Sequence, residues 1–119
     1  MSYAASMIAE YNYKISQLEI YAQQAANRNI DLLDSIETRK IKIKSSLLES
    51  NSMKNDYYKK FVTNEVRAYM AAKKISDYVR DSILPDIARM KGVLQDKLVY
   101  WQKAYLEELR RAAEASAAG

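Results

Sequence analysis

Apolar positions near the N-terminus recur in alternating steps of four and three residues: Ala4, Ile8, Tyr11, Ile15, Leu18, Ala22, Ala25, Asn29, Leu32 and Ile36. The spacing averages about 3.5, the period that keeps one stripe of an α-helix facing a partner helix. Nine of these ten positions are apolar or aromatic. The exception is Asn29, and a polar residue on such a seam can fix register or strand number at a cost in stability. The pattern predicts one coiled-coil helix over about residues 2–49, with Ser2 in the N-cap position, roughly 70 Å long at ~1.5 Å per residue. Its weak point is Asn27-Arg28-Asn29, where asparagine side chains could compete for the backbone and Asp31 could cap a new helix. The seam nonetheless passes through those residues in phase.

Ser50-Asn51-Ser52 is the strongest boundary in the chain, three residues that favour caps and turns, and it predicts a hairpin turn. A second periodic stretch follows: Tyr58, Phe61, Ala68, Ala72, Ile75, Val79, Ile83, Ile87, Met90, Leu94, Leu98, Trp101, Tyr105, Leu109 and Ala112. Its spacing averages about 3.6, nearer a straight helix than a supercoil. Pro85 interrupts it. Proline has no amide hydrogen and disfavours the α conformation at Leu84, so the helix must kink or end there. Either one kinked helix folds back on the first, or two helices of about 53–84 and 86–116 follow it, with Asp86 set favourably against the dipole of the last. The three-segment arrangement is the expected one, since it would bury Trp101. The expected fold is therefore all-α: a single domain over 1–119, an elongated antiparallel helical hairpin or a three-helix bundle with coiled-coil packing. Residues 112–119 are expected to fray.

Composition supports helices and excludes most chemistry. Two glycines and one proline among 119 residues are too few for a fold of many strands and tight turns. Cysteine and histidine are both absent, which removes disulfides, thiolate nucleophiles, the usual zinc ligands and the usual neutral-pH acid/base. The carboxylate pairs Asp31 with Asp34, Asp77 with Asp81, and Glu107 with Glu108 lie beside lysine or arginine, as solvated helical pairs do. Oxygen-only cation sites need more ligands and a loop. No catalytic, cofactor or metal site is nominated, and the chain is expected not to be an enzyme. No apolar run approaches the ~20 residues of a membrane span, nor does a basic region followed by an apolar one open the chain. The expected compartment is cytoplasmic or virion-associated, in soluble form.

Two groups of residues are candidates for partners. The first is an oligomer or partner interface of Ile15, Leu18, Asn29, Leu32 and Ile36 on the seam, with Tyr57 and Tyr100, which fall off the seams and suit contact with another subunit. Tyr58, Trp101 and Tyr105 fall on the seam and are expected to pack with their rings inside. Ala22, Ala25, Ala68, Ala71 and Ala72 would let helices approach closely, and Asn29 could meet either its own copy or a polar residue of the second segment. The second group is basic. Between Arg39 and Lys60 stand seven basic and two acidic residues, against 12 and 13 in the remainder, so the net charge of +4 gathers around the expected hairpin tip. Arg39, Lys40, Lys42, Lys44, Lys59 and Lys60 could there meet phosphates or an acidic protein face.

These features predict a non-enzymatic structural or assembly protein that associates with itself or with another helical protein, of the kind found in virions or secretion machinery. In general style, a polar seam-bearing helix ending in a basic run over Tyr21 to Lys44, the chain is similar to helix-rich internal proteins of tailed phages, a likeness of composition without a shared motif. The alternative is a helical protein that binds nucleic acid through the basic tip.

Overall fold

Helix α1 begins where the sequence supplies a cap. The Ser2 hydroxyl accepts a hydrogen bond from the Ala5 amide at 3.0 Å, and the Ser6 amide donates to the Ser2 carbonyl at 3.1 Å, so the first orphan donors are satisfied. The computed structural model of the chain describes residues 2–50 and 56–118, with side chains placed in 2–45 and 59–118. Every described residue after Ser2 is helical. Helix α1 runs Tyr3–Ser50 over 48 residues and passes unbroken through Asn27-Arg28-Asn29. There the Gln23 amide donates to the Asn27 side-chain oxygen at 3.0 Å, one turn away, so Asn27 bonds along the helix surface and does not open a turn. The expected turn at Ser50-Asn51-Ser52 lies largely outside the described residues.

Helix α2 (Asp56–Tyr78) is followed directly by a π turn, Val79–Ile83, and then by helix α3 (Leu84–Ala118). The helix, expected to kink or end at Pro85, therefore does not end there. Leu84 has helical angles, φ −65 and ψ −44, and its amide donates to the Val79 carbonyl five residues back. In a regular helix the proline ring would collide with the carbonyl of Asp81, four residues earlier. A π turn widens the ladder at that point and lets Pro85 stay in the helix.

The chain divides into two units, one of Met1–Ala22 with Asp86–Gly119 and one of Gln23–Pro85. In the first, Tyr3 packs edge-on to Trp101 with ring centroids 5.3 Å apart, and Glu19 pairs with Lys91 at 3.0 Å. Numbers rise along α1 as they fall along α3, so the two segments are antiparallel. In the second, Arg39 meets Glu65 at 3.0 Å. Those residues lie near the end of α1 and the start of α2, which makes this pair antiparallel too.

All ten seam positions of α1 are buried or half-buried, and Arg39 and Ile43 continue the stripe. Ala4 and Ile15 are buried in the first unit, Ile36 in the second. Facing them, the second strand of each pair presents Val62, Glu65, Tyr69, Ala72, Ser76, Val79 and Ile83 in α2 and the π turn, then Ile87, Lys91, Leu94, Leu98, Trp101 and Tyr105 in α3, all buried or half-buried. Up to Ile83 the steps alternate between three and four. The next two are both four, Ile83 to Ile87 and Ile87 to Lys91, so the stripe gains one residue at this point. A π turn holds one residue more than an α turn. The π turn therefore absorbs an insertion of one residue and returns the inward stripe to phase.

This differs from the second seam expected from sequence. Phe61, Ile75 and Met90 are exposed, whereas Ser76 is buried and Lys91 half-buried. The expected line crosses two adjacent heptad stripes that differ by one residue. The outer stripe consists of Phe61, Asn64, Ala68, Ala71, Ile75, Tyr78 and Ser82, then Asp86, Met90, Val93, Lys97, Tyr100 and Ala104, and is mostly exposed.

Candidate functional site

The seam residues expected to bind a partner are covered by the chain itself. Ile15 and Ile36 are 8% and 9% exposed, and Leu18, Asn29 and Leu32 are half-buried. They line the contact between α1 and the segments folded against it. Tyr57 lies outside the residues whose side chains are described. Tyr100 is 64% exposed and sits on the outer stripe, its ring edge-on to Trp101 at 5.1 Å between centroids.

Asn29 is the polar point of the seam in the second unit. Its side-chain oxygen is buried and has no hydrogen-bond partner. Ser76, on the inward stripe of the same unit, is 3% exposed. Each of the two helical segments thus carries a polar side chain on its inward stripe. An unpaired buried oxygen costs about 1–3 kcal/mol, so Asn29 lowers stability while penalising other registers.

Each unit exposes apolar side chains on its outer stripe. Met90 and Val93 are 52% and 51% exposed, and Ile75 and Tyr78 are exposed in the other unit. Two shallow depressions lie on it, one at Ile75, Tyr78 and Ser82, the other formed by Arg89, Met90, Val93 and Leu94. On α1, Ile30, Leu33 and Ile41 are exposed off the seam, Leu33 flanking it and Ile41 on the far side.

Among the six basic candidates, Arg39 stands apart. It is half-buried and pairs with Glu65, so its charge is already matched. Lys40, Lys42, Lys44, Lys59 and Lys60 are exposed. Lys40, Lys42 and Lys44 lie late in α1 and Lys59 and Lys60 early in α2, the two segments that the Arg39–Glu65 contact joins. Counted from the sequence, that unit carries twelve basic and eight acidic residues and the first unit seven of each, which places the whole net charge of +4 in the second.

Arginines hold both members of one carboxylate pair and one member of another. Arg80 contacts Asp77 at 3.3 Å and Asp81 at 2.8 Å, and its hydrogen bond keeps the Asp81 carboxyl below the ordinary carboxylate range. Glu107 is lowered likewise, chiefly by the hydrogen bond from Arg110, with Arg111 adding a weaker attraction. Asp31 and Asp34 are exposed. Among the described residues no three carboxylates gather into a cation site, and no helix is long and apolar enough to cross a membrane.

Sequence reasoning missed the outer stripe and the π turn. Both had a signal, since Ile83, Ile87 and Lys91 are spaced four and four where a heptad requires one step of three. The molecule so defined is all-helical, with an apolar stripe outside its own packing in each unit. Comparison of the chain with protein-family models, with curated proteins and with solved structures gives no match.

Proposed function

We propose that the protein is a non-enzymatic assembly module that associates with itself or docks on a larger complex through the outer faces of its helices. The observation that supports this reading is the imbalance of burial. Among the described residues no large side chain is fully buried, while Ile30, Ile41, Ile75, Met90, Val93 and Leu106 are exposed. Two packed helices bury one face each, and apolar surface beyond that marks association sites. Sedimentation equilibrium over a range of micromolar concentrations tests it. A mass above that of one 13.7 kDa chain is expected. A single-chain mass up to millimolar concentration would overturn the self-association reading.

A second reading concerns the lysines of the second unit. Five exposed lysines suit phosphate groups, and the alternative function is nucleic-acid binding there. Titration of duplex and single-stranded DNA across a salt series tests it, because a phosphate contact must weaken steeply as salt rises. No binding at low salt would remove it.

A further inference from the structure

We infer that the outer stripe of α3 from Asp86 to Tyr100 is a homodimer interface, formed by antiparallel pairing with the same stripe of a second copy across a two-fold axis near Gly92. The inference rests on the self-association proposed above and names its surface and partner. Three observations select this stripe. First, Asp86, Met90, Val93, Lys97 and Tyr100 are spaced four, three, four and three, the spacing of a coiled-coil seam, and none is buried by the chain's own packing. Second, the unit that carries it has seven basic and seven acidic residues, so two copies meet without net repulsion, whereas two copies of the other unit would each bring +4.

The third observation is the order of charges, which says what covers the stripe. In an antiparallel pair each core position lies opposite the complementary core position of the partner helix, and a two-fold axis makes every contact reciprocal. Pairing Met90 with Val93 of the second copy then brings Asp86 opposite Lys97, and the flanking Arg89 comes near Asp96. Along the chain these four charges read acid, base, acid, base, and reversal of the helix matches each sign with its opposite. The depression formed by Arg89, Met90, Val93 and Leu94 falls beside the axis, where it receives the Met90 and Val93 of the second copy. Asp86 holds Arg89 of its own helix at 3.0 Å, and that pair stands at the edge of the same surface. Tyr100 lies at the rim, where a ring with a polar tip is suited.

A charge-swap experiment tests the pairing. Sedimentation equilibrium is run on the unaltered protein, on Lys97→Glu, on Asp86→Lys and on the double variant, with circular dichroism as the control for folding. Each single change creates two like-charge contacts per dimer, and the dissociation constant is expected to rise at least about tenfold, with the double variant returning to within about threefold of the original. Single variants that dimerise unchanged, or a double variant as weak as the singles, would overturn the interface. If Asp86→Lys loses helicity, Val93→Glu replaces it, since two glutamates beside the axis must yield a helical monomer; a Val93→Glu protein that remains dimeric overturns the interface as well. An unaltered protein that is itself monomeric removes both the self-association reading and this one. An oligomer indifferent to all these changes removes this one alone.

Discussion

Gly92 lies in the interior of α3, and a methyl group built on it would meet nothing within 4 Å. Glycine in a helix interior costs about 0.5–1 kcal/mol relative to alanine, so Gly92→Ala should raise stability by that amount in thermal or denaturant unfolding. Ile36 is buried, and Ile36→Ala is expected to cost about 2–4 kcal/mol. Leu18 keeps part of its surface in water, so Leu18→Ala should cost less, about 1–2 kcal/mol. Reversal of that order would mean that the α1 seam is packed differently. Asn29→Leu removes an oxygen that is buried without a partner and should raise the melting temperature, while broadening the distribution of assembly states if Asn29 enforces register. Lower stability with unchanged mass would show that its amide has a partner worth more than the packing gained. Most of this was legible residue by residue on α1, because Ala4 to Ile36 carry a single stripe. Arg39 was grouped with the basic tip, and only the fold shows Glu65 beside it.

At the scale of the element, α1 was readable and the second strand was not. Alternating three- and four-residue steps describe a single face only while the helix repeat is constant. The line drawn at 3.6 residues per turn mixes the two stripes on both sides of the π turn, taking Ala72 and Val79 from the inner and Ile75 from the outer before it, and Met90 from the outer between Ile87 and Leu94 after it. Pro85 was read as a kink or an end because local preference disfavours proline inside an α-helix, whereas the π turn before it supplies the room. Deleting Ser82 together with Pro85→Ala should convert this segment to a regular helix with the inner stripe still in phase, so helicity and melting temperature should hold or rise. Deleting Gln95 instead rotates Leu98, Trp101 and Tyr105 by about 100° away from α1 and should unfold the end of α3. Equal damage from both deletions would show that the π turn does not set phase.

For the whole molecule, the absence of histidine makes a simple prediction about pH. Asp81 and Glu107 are held below their ordinary values, so what they contribute is present above about pH 4 and is lost as pH falls through the lowered folded values. Lys14 is raised by its hydrogen bond to Glu10, so its contribution is present below about 10.5 and is lost as pH rises through the raised value. Helicity measured by circular dichroism should therefore be flat from about pH 5 to 9 and decline only outside it, by small amounts because all three groups are exposed. A transition near neutrality would contradict the assignment. The lysine group is separable from assembly. Changing Lys40, Lys42, Lys44, Lys59 and Lys60 together to glutamine should abolish any phosphate-dependent binding while leaving mass and helicity nearly unchanged, because exposed charges add little to stability. Loss of assembly in that variant would mean that the two surfaces are one.

The shortage of fully buried large side chains has a consequence for what stability means here. If much of the apolar contact is completed only between chains, folding and association share one free energy, and the balance between folded and unfolded chains answers to mass action. Diluting the protein a hundredfold should then lower its melting temperature by about 5 °C, where a self-sufficient domain would melt at one temperature at every concentration. The melting point of such a molecule belongs to the solution as much as to the sequence, and its abundance in a cell would act as a control on how firmly it is folded.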